Sequence, residues 1–391
     1  MKTAFRSAAA LALALAACRQ SEHGAAWSGT VDTTATGAIV VHNSGRGLWD
    51  SATAWRLEEE LRIGSADDSG PGAIANPRTL EVDASGRIYV SESQPEEVRV
   101  YAPVGRFLRT LMRTGSGPGE VREAIGLAWD TLGHLWVVDQ RNARYTVFDT
   151  SGARLAEHPR PISGFSTWRW AGTIARTGEI IEITSIPGEG LFRQVAVRLD
   201  SGMAVADTVP LPYWRGPAFE LHRGGMSASY SVPFAASLLW RLDPRGYIWS
   251  SITERYRIVQ QTLRGDTVRV IERVVEPVTV TAAEKDSGMA RMRPFVQMGG
   301  VPDRSRIPDV KPPITRLWVD DRGYLWTERS NPEGAPAGTL FDVFDPEGRY
   351  LGEVRAPLAL QTVLVRGPAL YATATGEDDV PVIVRFRIRG R

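Results

Sequence analysis

Along most of this chain, apolar and polar residues alternate in runs of four to eight, separated by Asp, Gly and Pro, the pattern of half-buried strands and not of helices. The clearest stretch runs Ile125 to Asp130, Gly133 to Asp139, Ala143 to Asp149 and Gly152 to Leu155. Four such runs joined by tight turns predict a four-stranded antiparallel meander. Asp and Gly supply the turns, because Gly tolerates positive φ and Asp bonds its own neighbouring backbone.

One phrase, a glycine followed by a hydrophobic-aromatic pair, returns along the chain: Gly86-Arg-Ile-Tyr89, Gly133-His-Leu-Trp136, Gly178-Glu-Ile-Ile181, Gly246-Tyr-Ile-Trp249, Gly323-Tyr-Leu-Trp326 and, one residue longer, Gly367 to Tyr371. These glycines lie 47, 45, 68, 77 and 44 residues apart, so three intervals share one unit length and two carry insertions. A unit of about 40–50 residues is the length of a propeller blade. The expected fold is all-β, a six-bladed β-propeller of four-stranded antiparallel blades. The loop Gly70 to Gly72 precedes its counterpart Gly117 to Gly119 by 47 residues, placing both in one register. Phe107 to Leu111, just ahead of the second loop, is then an outer fourth strand, and so is Trp55 to Ile63. The last unit stops after its third strand, Pro381 to Ile388, so the N-terminal strand is predicted to complete it and close the ring. Ile39 to Val41 is read as a further strand on that seam blade.

The phrases Gly115-Ser-Gly-Pro-Gly-Glu120, Gly133 to Asp139 and the run to Phe148-Asp149 resemble NHL-type repeats of bacterial six-bladed β-propeller lipoproteins, over roughly residues 38–391. The resemblance implies a propeller fold and an envelope location. The chain departs from the pattern where Ser91-Glu92 stands at the acid position seen as Asp139.

At the N-terminus, Met1-Lys2 and Arg6 precede an apolar run from Ala8 to Ala17, too short to span a bilayer. It ends in Leu15-Ala-Ala-Cys18, which is similar to a bacterial lipobox. We read residues 1–17 as a lipoprotein signal peptide, Cys18 as the lipidation site and 18–37, rich in Ser, Thr, Ala and Gly, as a flexible tether. The propeller then occupies 38–391. Arg19 in place of an acid after the cysteine is similar to outer-membrane sorting, so the expected location is the cell envelope, lipid-anchored in the outer membrane.

Charge narrows the partners. With 46 basic and 45 acidic residues the net charge is +1, which offers no long-range field for nucleic acid or an anionic membrane. Membrane contact is expected through the lipid alone. A single cysteine excludes a disulfide framework and a multi-thiolate metal site. Trp129, Trp136, Trp249, Trp318 and Trp326 fall on repeat strands, where packing between blades is their expected role.

Candidate chemistry concentrates in two insertions, at about 209–236 and 272–314, both at connections from an outer strand to the next inner strand and hence on one face. Long loops on a rigid scaffold are disproportionately functional. The first carries Tyr213, Trp214, Arg215, Phe219, His222, Arg223, Tyr230 and Phe234, the composition of a recognition surface unless the aromatics fold down to cap the ring. In the second, Thr281 with Glu284 three residues on is a capping-box pattern opening a short helix. The predicted channel mouth holds Arg78, Glu123, Trp168, Arg169, Ser237, Arg316 and Gln361; one carboxylate among three arginines suits an anion better than a cation. Asp139, Asp149, Asp243, Asp320 and Asp345 recur at strand ends, where they are expected to bond turns. Five histidines, at 23, 42, 134, 158 and 222, show no paired ligand spacing, and Gly115 to Gly119 lacks the Lys and helix of a phosphate loop.

The sequence therefore points to a non-catalytic binding or scaffolding module for a protein, peptide or glycan, with no cofactor or metal. The candidate contacts are Arg78, Trp168, Arg169, Trp214, Arg215, His222, Arg223 and Arg316. A propeller hydrolase or lyase using His222 and Arg223 over the channel is the competing reading, and a purely architectural role in the envelope a third.

Overall fold

The recurring glycine phrase is one half of a turn whose other half is an aspartate three residues earlier. Asp83, Asp130, Asp243 and Asp320 each accept, through Oδ1, the backbone N–H groups two and four residues on, at 2.8–3.1 Å. The glycines at 86, 133, 246 and 323 take φ of +82°, +81°, +84° and +92°, which a side chain would strain. The aromatic residue six positions after each aspartate then reaches back to Oδ2: Trp136, Trp249 and Trp326 donate Nε1–H at 3.0, 3.0 and 3.2 Å, and Tyr89 its hydroxyl at 3.3 Å. The spacing is thus a turn and a clamp on the hairpin it makes.

The computed structural model describes residues 27–70, 72–162, 169–188 and 192–391. Six antiparallel blades follow in order. Blade 1 comprises Pro77–Val82, Ile88–Ser93, Glu96–Tyr101 and Phe107–Thr114; blade 2, Ala124–Trp129, Leu135–Asp139, Arg144–Phe148 and Arg154–Pro159; blade 3, Thr173–Ile174, Ile180–Pro187, Phe192–Leu199 and Val205–Pro210. Blade 4 is Leu238–Leu242, Tyr247–Ile252, Arg257–Thr262 and Thr267–Arg273, and blade 5 is Ile314–Val319, Leu325–Arg329, Thr339–Phe344 and Tyr350–Ala356. Blade 6 joins Leu360–Arg366, Ala369–Thr375 and Pro381–Arg389 to Arg56–Ile63, which pairs antiparallel with Pro381–Arg389 and closes the ring as the sequence predicts.

Apolar residues pack between blades and not within one. Six buried clusters each join neighbouring blades, from Tyr89, Val100, Ala124 and Leu135 at the 1/2 seam round to Leu80, Ile88, Tyr371 and Ile383 at the 6/1 seam. Trp249 and Trp326 are fully buried there, and Trp129, Trp136 and Trp318 pack against the same cores. Burial of this kind, at about 25 cal/mol per Å² of apolar surface, holds the ring together.

Two expectations change at the N-terminus. The tether read over 18–37 is structured from Gly29: Gly29–Thr33 forms a hairpin with Ile39–Asn43. That hairpin does not extend the seam blade. Ile39–Asn43 runs parallel to Thr267–Arg273 and extends blade 4 to six strands. The outer edge of blade 4 offered unpaired backbone groups, and pairing with them orders a segment whose own composition is loop-like. The acid departure in blade 1 disappears: Glu92 accepts the Asn76 N–H at 2.6 Å, as Asp139 accepts those of Arg122 and Glu123 47 residues on in the same register.

Candidate functional site

The two insertions fold onto each other. The first forms an antiparallel hairpin, Ala218–Arg223 with Met226–Ser231; the second forms a helix over Ala282–Ala290 and a short one over Arg293–Gln297. The capping box is present, with Thr281 Oγ1 accepting Glu284 N–H at 3.2 Å and Glu284 Oε2 accepting Thr281 N–H at 3.0 Å. Phe219, Val232, Val280, Met292, Phe295 and Ile307 make a seventh buried cluster that belongs to the insertions alone. The aromatics therefore build a small separate core on the ring and do not fold down to cap it.

Where this unit meets blades 4 and 5 lies a cavity of about 560 Å³, within the size range of small-ligand pockets. Its apolar wall is Phe234, Ala235, Ala236, Val274, Val275, Pro277, Pro308 and Val310; its charged groups are Arg255, Arg273, Arg306, Lys311 and Arg329 against Glu254 and Glu276. An adjoining space of about 360 Å³ shares Phe234, Thr253, Lys311 and Arg329 with it and reaches Glu328 and Thr315 of blade 5.

The cavity floor is a buried ionic clasp. Asp342 accepts Arg273 Nη1 at 2.8 Å and the hydroxyls of Tyr256 and Tyr350 at 2.8 and 3.0 Å, with Arg329 Nε 3.8 Å away. The Arg273 guanidinium lies 3.8 Å from the centre of the Tyr350 ring. Burial pushes the Asp342 carboxyl above its usual range despite the two arginines, and burial together with Asp342 raises both tyrosines, which stay protonated donors. Lys311 is held by Glu284 at 2.6 Å, and Arg306 lies over the Phe219 ring at 5.1 Å.

Charge of one sign gathers on the inner strands. Arg316 of blade 5 pairs with Glu328 and donates to the Leu360 and Gln361 carbonyls at 2.5 and 2.6 Å. Arg169, from the blade 2/3 connection, reaches the same Gln361 carbonyl at 3.5 Å. Arg241 of blade 4 joins them: Trp240 and Leu242 pack toward blade 3 and Leu239 toward blade 5, so strand alternation turns Arg241 to the blade 5 side. Burial and Arg316 lower the Arg169 pKa, and burial, Arg316 and Arg169 lower that of Arg241.

The structure thus brings together Arg169, Arg316 and Gln361 from the predicted channel mouth and adds Arg241. Arg78 is buried and committed to Glu96 at 3.2 Å and to the Ala124 carbonyl. Glu123 pairs with Arg141, and Trp168 and Cys18 lie outside the described residues. On the first insertion, Arg215 pairs with Glu220, Trp214 packs beside Gly216, and His222 and Arg223 sit at the exposed hairpin end. His222 Nδ1 meets Ser227 Oγ at 3.0 Å and Arg223 lies over Gly299 of the second insertion. None of these four lines the cavity. Sequence reading missed Arg241, although an arginine flanked by apolar residues in an inner strand, Leu238-Leu-Trp-Arg-Leu242, is the available signal. Of the cavity lining, sequence reading named Phe234 and the 272–314 segment, whereas Arg255 and Arg329, on blades 4 and 5, carried no signal.

Among the described residues no group of three or more His, Cys, Asp or Glu stands together as a metal-ligand set, and no helix is long and apolar enough to cross a membrane. Compared with protein-family profiles and with curated protein sequences, the chain matches none. Solved structures do match. A protein of Bacteroides fragilis assigned as exported aligns with 90% of this chain and 99% of its own at 11% identity and a TM-score of 0.51. A DUF4221 family member of Bacteroides vulgatus covers 86% and 99% at 10% identity and 0.48, and virginiamycin B lyase of Staphylococcus aureus covers 85% and 99% at 11% and 0.42. The first likeness shows the propeller fold.

Proposed function

We propose that this chain is a non-catalytic recognition module of the cell envelope, exported and held by a lipid on Cys18, and that the insertion-capped cavity receives a peptide ligand. The cavity carries the reading. It is formed by the two segments that depart from the repeat, and it combines a Val and Pro wall with cationic groups. A glycan would want exposed aromatic platforms, whereas here Tyr256 is sunk in the clasp and only Phe234 offers a ring. An extended peptide with an apolar side chain and an acidic group or free C-terminus matches the Val274, Val275 and Pro308 wall beside Arg255 and Arg306. His222 and Arg223, exposed and bonded within the insertions, give no geometric support to a hydrolase or lyase over the channel.

Thermal melts of the purified chain with peptides ending in a free carboxylate, with neutral glycans and with Ca²⁺ or Zn²⁺ test this, because a ligand that binds only the folded state raises the melting temperature. Peptides should raise it, and Ala236→Trp, which fills the cavity, should abolish the rise. A shift given by a divalent metal alone, or a peptide shift that survives Ala236→Trp, would overturn the assignment.

A further inference from the structure

One residue in the cavity wall is kept where it is at a cost. Pro233 and Phe234 form the middle of a tight turn, closed by the Ala235 N–H on the Val232 carbonyl at 3.2 Å, and Phe234 takes a φ of +58°. A turn whose third residue is left-handed ordinarily places Gly or Asn there, and a bulky side chain in that region is strained. A second concession lies against the same ring. Gly288 is buried in the helix Ala282–Ala290, although glycine weakens a helix relative to alanine. A β-carbon at Gly288 would stand 2.9 Å from Pro233 Cβ and 3.4 Å from Phe234 Cε2. The Arg291 guanidinium, three residues on, lies over the ring at 5.6 Å. Both concessions thus seat one side chain, and among the described residues it is the only aromatic one shared by the walls of the cavity and of the adjoining space.

We infer that Phe234 is the specificity-determining residue of this site, the end wall that divides the cavity from the adjoining space and limits the length of the apolar group a ligand can bury. The inference rests on the reading of the cavity as the ligand site and adds which ligands fit it. With the ring in place, an apolar chain whose acid group meets Arg255 or Arg306 is confined to the space of about 560 Å³. With the ring removed, the chain runs on into the second space, toward Pro312 and Ile314. Backbone strain persists only where the surroundings over-determine it and gathers at ligand clamps; here the strained residue, the helix glycine that makes room for it and the two spaces it separates all meet at one ring.

Straight-chain carboxylates from butanoate to decanoate serve as rulers, titrated by calorimetry into the full chain and into Phe234→Ala. In the parent, affinity should climb by about fourfold with each added CH₂ and then level off at a definite length. In Phe234→Ala the climb should continue beyond that length, so that the longest chain binds roughly tenfold tighter than it binds the parent. Melting curves test the strain separately: Phe234→Gly should melt above Phe234→Ala, because both lose the ring and glycine alone relieves the positive φ. A peptide ending in valine, titrated alongside, keeps the two readings apart. Carboxylates that show the moved limit without any binding of the peptide would leave the wall standing and remove the peptide assignment. A levelling-off at the same length in both proteins, no binding of any carboxylate to either, or a Phe234→Ala variant that melts at or above Phe234→Gly would each overturn the inference.

Discussion

The seams between blades 2 and 3 and between blades 4 and 5 are fastened by the same device with different balance. At the first, Tyr145 at the start of a third strand and Arg160 just past an outer strand both bond Glu182 on the next blade, at 2.6 Å for the hydroxyl and 2.7 and 2.9 Å for the two guanidinium nitrogens. At the second, Arg273 takes the place of Arg160, while Tyr256 stands two positions earlier on its strand than Tyr145, and the acid they bond is Asp342 on the third strand of the next blade and not on the second. The 2/3 clasp is one cation on one anion, a two-pronged pair sealed from water on both sides. The 4/5 clasp sets two arginines and two tyrosines on a shorter carboxylate, and it forms the floor of the cavity. A tyrosine and an arginine on an acid of the next blade can thus form a sealed lock at one seam and the floor of a cavity at another, where the insertions open space above it.

Breaking one partner should separate the two most strongly. Arg160→Met leaves Glu182 buried without its cation and is expected to cost about 3–5 kcal/mol in urea unfolding. Arg273→Met should cost less, about 1–3 kcal/mol, because Arg329 and both tyrosines remain on Asp342 and the cavity admits water to it. Equal losses would mean that the cavity does nothing to relieve the second clasp.

The 4/5 seam also has a staple that the 2/3 seam lacks among the described residues. Asn43, buried at the end of the N-terminal hairpin, accepts Tyr350 N–H at 2.6 Å and donates to the Gly348 and Glu272 carbonyls at 3.0 and 3.2 Å, so one side chain ties blade 4 to blade 5. Asn43→Ala leaves a buried N–H unpaired and should cost about 1–3 kcal/mol. Because Tyr350 packs on Arg273, the loss should be less than additive when combined with Arg273→Met, whereas combined with Arg160→Met it should simply add. Additivity in both pairs would show that the hairpin decorates blade 4 without bracing the seam.

The regular parts of this molecule were legible because each depends on contacts within one blade. Asp130, Gly133 and Trp136 specify a turn and its clamp over seven residues, and repetition of that phrase revealed six blades and the closing role of Arg56–Ile63. The features that escaped reading depend on partners far away in the chain. Gly29–Thr33 is a strand because it pairs with Ile39–Asn43, which itself docks on the free edge of blade 4 more than 200 residues later. Composition singled out the insertions, and Phe234 does line the cavity they form with the strand ends of blades 4 and 5, but Arg215 and His222 pair within the first insertion and Arg223 lies against the second.

The smallest effect distinguishes the clasp from the turns through pH. Burial raises the Asp342 carboxyl above its unfolded value of about 3.9, so between that value and the raised one the folded state holds a proton the unfolded chain has lost. Its contribution to stability is full below pH 4 and is lost as pH rises through the folded value. Asp130 has the opposite sign. Burial pushes it up, but the backbone N–H of His134, the Trp136 indole and the His134 ring outweigh burial and hold it below its ordinary value. Its contribution is full above pH 4 and is lost as pH falls through the folded value. Urea unfolding from pH 3 to 7 should therefore give two difference curves of opposite slope: the advantage of the parent over Asp342→Asn should shrink with rising pH, and its advantage over Asp130→Asn should grow. Parallel curves would mean that Asp342 is ionised across the whole range, in which case the two arginines of the cavity floor, and not burial, govern the clasp.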